Sequence, residues 1–209
     1  MPDPLELIYQ DPSIVVVNKS AGLLSVPGRG PDKADSLASR VQQIFPDALI
    51  VHRLDMATSG LLLFARGKQM QSHLCKLFRD RQLEKRYVAV VCGRMPATGV
   101  VNLPICCDWP NRPRQKVDMA IGKPSLTRYS LLHYDAIKDT SRMALEAVTG
   151  RTHQLRLHMA ALGHPVLGDA LYGTSCSHIS GRLLLHASML SLTHPLHNTP
   201  LTFSCAPPF

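Results

Sequence analysis

Residues 51–65 read V-H-R-L-D-M-A-T-S-G-L-L-L-F-A and predict a turn that carries one carboxylate between two apolar strands. The run after Gly60 is too short to span a membrane but apolar enough for a buried strand. Catalytic groups concentrate on turns of this kind, because a rigid sheet holds them in place. Asp55, close to Arg53, is therefore the first candidate catalytic residue. The alternative is an aspartate whose side chain only closes the turn.

Composition limits the class of protein. The chain has 209 residues and a mass of 23.0 kDa, and 45% of its residues are apolar. This length is sufficient for one well-packed domain, and the apolar content excludes a disordered chain. The net charge of +8 and the isoelectric point of about 9.4 indicate an anionic partner, with nucleic acid as the first candidate. A basic protein without such a partner is the alternative.

Several classes of protein are not expected. The start M-P-D-P-L-E-L-I-Y has no signal-peptide core, and no segment has about 20 apolar residues in a row, so we expect a cytoplasmic protein. The six cysteines form no C-x-x-C pair and are interpreted as reduced packing residues. His153 and His158 are off-register for one helical face, and H-E-x-x-H is absent, so no metal site is predicted.

Short strand-like segments outnumber the helical ones. Helical spacing predicts helices at residues 36–45 and 68–82, and Thr152 is a candidate cap for a third helix that ends at residue 162. Residues 107–116 are expected to be irregular because they contain two prolines. The predicted strands are residues 7–9, 14–17, 49–52, 60–65, 86–91, 125–132, 143–148, 183–192 and 201–203. This pattern predicts one α+β domain dominated by antiparallel strands.

Three further residues lie in settings that suit either chemistry or structure. Tyr87 follows Lys85 and Arg86, so its ring either faces a basic cleft or packs in the core. Arg151 precedes the third helix and either contacts a carboxylate in bidentate geometry or is solvated. His186 lies in an apolar run and is interpreted as a hydrogen-bonded core histidine.

Six motifs follow one another along the chain: H-R-L-D-M-A-T-S-G, K-R-Y-V-A-V, G-K-P-S-L-T-R-Y, G-R-T-H-Q-L-R-L-H-M, L-G-H-P-V-L-G-D and L-L-L-H-A. In these motifs, and in their order, the chain resembles RluA-type pseudouridine synthases from Ile14 to Phe203. The resemblance implies an α+β catalytic domain over residues 1–209, without an S4 domain. Its fold would be a mixed, largely antiparallel sheet with flanking helices and a central RNA-binding cleft.

One departure from the family lies at N-K-S-A-G, where Ser20 stands in place of the usual proline after Lys19. Ser20 is outside the catalytic motif, so the departure concerns the rigidity of this loop rather than activity.

The resemblance also assigns roles. Asp55 matches the catalytic aspartate, which is needed to break the bond between ribose C1′ and uracil N1. Arg151 matches the arginine that pairs with that aspartate and keeps it ionised. Tyr87 matches the aromatic residue that stacks on the target uracil, and Arg53 the residue associated with the space that the flipped base leaves. Whether Asp55 is nucleophile, base or electrostatic stabiliser stays open. No cofactor is implied, because the isomerisation is redox-neutral.

The predicted partner is RNA, with no obligate protein partner and no membrane, and the chain is expected to be a monomer. The stretch D-W-P-N-R-P-R-Q-K resembles the dual-specificity subfamily, which implies uridine 32 of a tRNA anticodon stem-loop and uridine 746 of a 23S rRNA hairpin as targets. The predicted RNA-binding residues are Arg53, His52, Arg79, Arg112, Arg114 and Lys116. Arg79 lies on the helix predicted at residues 68–82, and Arg112, Arg114 and Lys116 lie on the irregular stretch at residues 107–116. The alternative is that both are solvated surface elements that do not contact RNA.

Other functions remain possible at this point. One is a catalytically silent RNA-binding or RNA-folding factor on the same fold, which would have no need of Asp55, Tyr87 and Arg151 together. Another is a synthase of the same family with a different rRNA or tRNA target. A third is a hydrolase that uses Asp55 with His52, but it would need a second carboxylate or a metal nearby, and the sequence around Asp55 offers neither.

Overall fold

The structure is a computed structural model that describes residues 5–30, 33–173 and 180–209. The strands are β1 Glu6–Gln10, β2 Ile14–Lys19, β3 Ala48–Ile50, β4 Ser59–Arg66, β5 Leu83–Cys92, β6 Thr98–Asn102, β7 Ile105–Cys107, β8 Gln115–Val117, β9 Leu126–Asp135, β10 Thr140–Ala147, β11 Leu185–Thr193 and β12 Pro200–Ser204. The helices are α1 Leu37–Ile44, α2 Lys68–Arg79 and α3 Gln154–Ala161. Every strand and helix predicted from the sequence is present, so the α+β prediction is confirmed.

The chain forms two compact units. The first unit comprises Met1–Glu84 and Ala187–Pro208, and the second comprises Lys85–His186 and Phe209. In the first unit, strands lie in the order β1-β2-β4-β11, with β3 on β4 and β12 on β11. In the second unit, β5, β10, β9 and β6 follow one another in antiparallel pairs, and β7 and β8 form a separate hairpin.

The core of the first unit centres on β2 and β4. Residues 14–17 and 61–65 are buried along their whole length, because both faces of these two strands are covered. Val16 lies opposite Leu63 in the antiparallel register. Met70 and Leu74 of α2 pack against the same cluster. Burial of each large apolar side chain contributes roughly 1.5 to 3 kcal/mol, so this sheet is a rigid base for the turn that precedes β4.

Local hydrogen bonds determine where α1 and α2 begin and end. Ser36 caps α1, and its hydroxyl accepts from the Ser39 amide, as a polar residue before an apolar helix predicts. Helix α2 ends at Arg79, three residues before the predicted end at Gln82. Arg81 adopts a left-handed φ of 57°, and the Gln82 amide donates to the Leu77 carbonyl at 2.9 Å. The left-handed residue and this hydrogen bond are the features of a Schellman motif, which ends the helix although the apolar pattern continues.

The basic stretch at residues 107–116, called the basic segment below, is more regular than predicted. Its two ends belong to β7 and β8, and Trp109–Asn111 form a turn of 3-10 helix. The prolines lie at positions 110 and 113, inside the connection, so they remove no donor from the paired strands. Strand β6 was not predicted, because only Val101 of its five residues is buried and one residue is glycine.

The third helix begins differently from the prediction. Its N-terminal cap is His153 in the left-handed conformation, with a φ of 56° and no capping hydrogen bond from its side chain. The predicted cap, Thr152, is therefore wrong. Gln154, the first residue of the helix, accepts instead from the Arg151 amide at 3.0 Å through its side-chain oxygen, so it bonds to the turn before the helix.

The cysteine prediction is partly wrong. Cys75, Cys106, Cys107 and Cys205 are free thiols, whereas Cys92 is disulfide-bonded. Cys176 lies outside the described residues.

The described residues were also compared with the requirements for a membrane-spanning helix and for a metal site. None of the helices in residues 5–30, 33–173 and 180–209 is long and apolar enough to cross a membrane. In the same part of the chain, no group of three or more histidine, cysteine, aspartate or glutamate side chains could bind a metal ion.

Candidate active site

The Asp55 turn, residues 54–58, is hydrogen-bonded to a neighbouring loop of the first unit. The Leu54 amide donates to the Ser25 hydroxyl at 3.1 Å, and that hydroxyl donates to the Leu54 carbonyl at 2.7 Å. Within the turn, the Thr58 amide donates to the Asp55 carbonyl at 3.0 Å. Leu54 is buried and Asp55 is half-buried. The carboxylate therefore projects from a backbone that has little freedom to move.

A buried lysine bonds to the other side of this turn. Lys19 has no exposed surface, and its ammonium donates to the carbonyls of Ser20, Leu23 and Met56 at 2.9, 2.7 and 3.0 Å. The Gly22 amide also donates to the Met56 carbonyl, at 2.9 Å. Three carbonyl oxygens compensate the ammonium for the water that it loses on burial. Lys19 thus holds the Met56–Ala57 peptide unit, one residue beyond Asp55.

Sequence reasoning missed the role of Lys19. The available signal was a lysine at the end of the apolar strand I-V-V-V-N-K, where a solvated side chain would be the ordinary expectation. The departure from the family at Ser20 lies in the same loop, and the Ser20 carbonyl is one of the lysine's acceptors. A serine supplies this carbonyl as well as a proline would.

Two features of the structure require glycine at position 60, at the start of β4. Its φ is +113°, which side-chain-bearing residues rarely adopt. A Cβ at this position would collide with the backbone of Ala187 in β11. The close approach of these two strands brings the end of the Asp55 turn onto the sheet.

His52 is engaged within the first unit. Its Nε2 accepts from the Leu63 amide at 3.0 Å, and its ring stacks on Phe78 with the centroids 4.5 Å apart. Because Nε2 is an acceptor, the ring is uncharged in this arrangement. The geometry gives His52 a structural role between the turn, β4 and α2, and its contact with RNA stays a prediction.

Arg53 and Arg79 are the exposed cations of the first unit that the sequence singled out. Arg53 lies two residues before Asp55 and directly before the buried Leu54. Arg79 is at the last position of α2, where its Nε is 3.6 Å from Asp80, and 73% of its side chain is exposed. Both residues lie at the surface, as an RNA-binding role requires, and that role stays a prediction.

In the second unit, Tyr87 lies on β5 opposite Leu145 of β10 and is half-buried. A half-buried side chain on this strand agrees with neither full core packing nor free exposure. Its stacking on a target uracil stays a prediction.

The Arg151 turn, residues 149–153, is organised by Gln154. The Gln154 side-chain oxygen accepts from the Arg151 amide at 3.0 Å and the Thr149 hydroxyl at 2.6 Å. Its side-chain nitrogen donates to the Leu126 carbonyl and the Thr127 hydroxyl, both at 3.0 Å. All four bonds of a buried amide are used, so the backbone of the turn is fixed.

Arg151 itself is exposed on this rigid turn. Its Nε donates to the Pro124 carbonyl at 3.3 Å. The bidentate contact with a carboxylate that the sequence suggested stays a prediction, as does the pairing with Asp55 that the resemblance implies.

A buried ion pair connects α3 to the loop that contains Asp169. Arg156 of α3 donates to both carboxylate oxygens of Asp169, at 2.8 and 2.7 Å, and Asp169 also accepts from the amides of Leu171 and Tyr172. Burial opposes ionisation of Asp169, but the guanidinium and the two amides lower its pKa below the ordinary value. The sequence motifs contained both residues, but nothing in their spacing showed that they pair.

Tyr172 connects this region to the basic segment. Its hydroxyl accepts from the Gln115 amide at 2.7 Å and lies 2.8 Å from His153 Nδ1. The guanidinium of Arg114 donates to the Leu171 carbonyl, with Nε at 2.8 Å. The loop after Asp169 therefore contacts both β8 and the residue that caps α3.

The three cations of the basic segment differ in their surroundings. Arg112 lies over the Trp109 ring, Arg114 is bonded to the Leu171 carbonyl, and Lys116 is 3.2 Å from Asp118. The hydrogen bond and the charge of Asp118 raise the pKa of Lys116. All three side chains are exposed, so they agree with the predicted phosphate contacts, which stay untested.

His186 is fully buried, which agrees with a position in the core, and its hydrogen bonding stays a prediction. The structure places His52, Arg53 and Asp55 together in the first unit, with Arg79 at the end of α2. Tyr87, Arg151, Arg112, Arg114 and Lys116 belong to the second unit.

Known proteins are similar to this chain over nearly its whole length. A model of the family described as RNA pseudouridylate synthase matches residues 13–161. The Dual-specificity RNA pseudouridine synthase RluA of Escherichia coli (strain K12) is 50% identical over 207 residues, covering 98% of this chain and 94% of the relative. The protein of the same name from Yersinia pestis is 48% identical over 205 residues, covering 97% and 99%.

Solved structures agree with these matches. Human RNA Pseudouridylate Synthase Domain Containing 1 has a TM-score of 0.83 and 28% identity, covering 99% of this chain and 84% of that one. Human RNA Pseudouridylate Synthase Domain Containing 4 has a TM-score of 0.79 at 24% identity, covering 97% of this chain and 88% of that one, and supports the fold alone.

Proposed function

The chain belongs to the RNA pseudouridylate synthase family, and from that premise we propose how its residues act and which RNAs it modifies. The family assignment from the six motifs is confirmed, and so is the enzyme class: the protein is an RNA pseudouridine synthase, an isomerase. Its substrate is RNA, in agreement with the net charge of +8.

Asp55 is the proposed catalytic residue. The reaction breaks the C1′–N1 bond, turns the uracil and forms a bond from C1′ to C5; the C5 proton then leaves to a base, and N1 gains a proton. During the first step the ribose either gains positive charge at C1′ or loses the proton of its C2′. A fixed, ionised carboxylate suits each of these routes, as nucleophile, base or electrostatic stabiliser. The observation that supports Asp55 most is that the backbones of its two neighbours are held, Leu54 by Ser25 and Met56 by Lys19.

Tyr87, Arg151 and Arg53 take the supporting roles in this proposal. Tyr87 would stack on the uracil and help remove the C5 proton, and its half-buried position on β5 supports a fixed ring. Arg151 would favour the ionised form of Asp55, and the four bonds of Gln154 support a fixed position for its turn. Arg53 would fill the space left by the flipped base, and its exposure supports access to RNA.

The proposed targets are a tRNA anticodon stem-loop and a similar 23S rRNA hairpin. The support is the basic segment, together with near-complete coverage of relatives whose name is dual-specificity. Loop bases unstack at lower cost than paired bases, so a hairpin loop suits an enzyme that flips its target. We further propose that residues 1–209 act as one catalytic domain, as a monomer and in the cytoplasm, where tRNA and rRNA are found.

The test compares pseudouridine formation in anticodon hairpins, a 23S rRNA hairpin and unstructured RNA of the same sequences. We expect both hairpins to react and the unstructured RNA to react slowly. Equal rates on unstructured RNA would contradict recognition of the loop. Reaction of one hairpin alone would contradict dual specificity and favour a synthase with a different target.

A further inference from the structure

The only tryptophan of the chain, Trp109, lies on the basic segment and is 67% exposed. Exposure of a tryptophan forgoes the favourable burial of the largest apolar side chain. In the part of the chain that the structure describes, the other exposed large apolar side chains are leucine, isoleucine, valine and methionine, which have no flat ring. A flat aromatic surface at this position therefore needs an explanation.

The ring is held against a cation. The Arg112 guanidinium carbon is 4.5 Å from the centre of the Trp109 ring, within the range of a cation–π contact. This contact restricts the rotation of both side chains at the surface. The pair therefore presents an aromatic surface and a positive charge from one short loop.

The loop under the pair is closed by its own backbone. The Asp108 amide donates to the Arg114 carbonyl at 3.1 Å, and the amides of Asn111 and Arg114 donate to the carbonyls of Asp108 and Asn111 at 3.0 Å each. The Asn111 side-chain amide also donates to the Asp108 carboxylate at 3.0 Å. Few degrees of freedom remain to be restricted when a ligand contacts the loop.

The loop is also bonded at its C-terminal side to the rest of the second unit. Arg114 donates to the Leu171 carbonyl, and the Gln115 amide donates to the Tyr172 hydroxyl at 2.7 Å. Asp169, which binds the amides of residues 171 and 172, is itself bonded to the buried Arg156. The exposed pair is thus carried on an anchored loop.

We propose that Trp109, backed by Arg112, is a stacking platform for an unpaired base of the RNA substrate other than the target uracil. The proposal rests on the proposed function, because it gives the basic segment a base contact beside its phosphate contacts. Aromatic side chains bind bases through their π faces with little sequence preference, and an adjacent arginine adds attraction for the RNA backbone. The positive charge of Arg112, Arg114 and Lys116 favours RNA over an apolar protein surface as the occupant.

The first experiment uses the single tryptophan as its own reporter. Titration with a substrate hairpin should quench the fluorescence of Trp109 and protect it from acrylamide. Hairpins with one abasic nucleotide at each loop position in turn should bind, and one of them should show no quenching. The proposal would be overturned if no abasic position changed the quenching. It would also be overturned if acrylamide still reached Trp109 in the complex.

The second experiment measures affinity with labelled RNA, so that variants without tryptophan are included. Trp109→Ala should weaken binding about 10-fold, the size of one base–aromatic stack, and Trp109→Phe should recover most of that affinity. Ile137→Ala is the matched control, because Ile137 is 97% exposed and lies on another turn of the second unit. Equal affinities for Trp109→Ala and the control would overturn the proposal.

The two proposals fail separately. If hairpins are converted to pseudouridine while Trp109 stays accessible, the platform is wrong and the proposed targets stand. If Trp109 is quenched by a single loop base but the hairpins are not converted, the proposed targets are wrong and the platform stands. If no RNA binds, both are wrong.

Discussion

The Asp55 turn and the basic segment use opposite means to present their side chains. The Asp55 turn is bonded on both sides by buried residues, Lys19 and Ser25, and its carboxylate is half-buried. The basic segment is closed by its own backbone and anchored at one side, and its cations and Trp109 are exposed. Bond breaking needs one group at a fixed position, whereas RNA binding needs charge and surface that the ligand reaches from solvent.

The largest expected effect is on the carboxylate itself. Asp55→Asn should abolish pseudouridine formation, because an amide is neither ionised nor basic, while RNA binding and folding are retained. The measurement is single-turnover conversion of a hairpin, with Asp35→Asn as the control, since Asp35 is an exposed aspartate whose carboxylate pairs with Arg40. Conversion at a tenth of the wild-type rate, about 1.4 kcal/mol, would contradict the catalytic role.

The next effect is on the support of the turn. Lys19→Met leaves three carbonyls without their ammonium donor in a buried position, and we expect the free energy of unfolding to fall by about 2 to 4 kcal/mol. Because the Met56 carbonyl is one of them, kcat should fall in protein that is still folded, with KM for RNA changing less. Denaturant unfolding and turnover at low temperature measure the two effects.

Lys138→Met is the control for Lys19→Met, because the Lys138 side chain is 73% exposed. If Lys19→Met is destabilised but converts RNA at the wild-type rate when folded, Lys19 stabilises the unit without positioning Asp55.

A smaller effect is expected on the salt dependence of binding. Replacement of Arg112, Arg114 and Lys116 by Ala should weaken RNA binding and reduce the slope of log affinity against log salt by about 0.7 to 0.9 for each phosphate that the protein no longer neutralises. The change should appear in KM rather than in the rate of conversion at saturation. Lys138→Ala is the control, and slopes equal to the wild type would show that the basic segment does not bind phosphates.

The smallest effect concerns the pH dependence of stability and the buried His158 of α3. His158 is buried, its Nε2 donates to the Leu103 carbonyl at 3.0 Å, and Thr127 lies 2.9 Å from its Nδ1. Burial lowers the pKa of His158 below 6.5, although the bond to Leu103 partly opposes this. The unfolded chain therefore binds a proton first, so stability is full above pH 6.5 and is lost as the pH falls toward the lower folded-state pKa.

The matching measurement is the free energy of unfolding between neutral and mildly acidic pH for the wild type, His158→Gln and His133→Gln. His133 is an exposed histidine and serves as the control. His158→Gln should be less stable at neutral pH and lose less stability on acidification. An unchanged pH dependence in this variant would show that other groups are responsible.

Much of the fold followed from local patterns, and the errors have physical causes. Alternation and apolar runs predicted β2, β4 and β5. They did so because buried strand positions are apolar in any sheet, whatever its topology. The end of α2 was wrong by three residues, since a left-handed Arg81 does not show in the apolar pattern. The cap of α3 was wrong by one residue, since the left-handed conformation of His153 does not show in the sequence pattern.

In the candidate site, too, local patterns predicted some residues, and contacts formed by folding determined the others. Asp55 became a candidate because of its turn, and Tyr87 and Arg151 because of their local settings and their place in ordered motifs. Lys19, Gln154 and the Arg156–Asp169 pair were not, because each is a polar residue whose role depends on partners brought near by folding. Trp109 was part of a recognised motif, but only its exposure and its contact with Arg112 indicated a separate use.

By itself, the sequence determined the α+β class, the family and the carboxylate on its turn, since these depend on periodicity, charge and short motifs. Tertiary structure alone decided that Lys19 is buried and bonded to Met56, that Asp169 stays ionised beside Arg156, and that the basic segment is an anchored hairpin. The physical reason is that burial and hydrogen bonding of polar groups depend on which distant backbone atoms surround them, and a local pattern does not contain those neighbours.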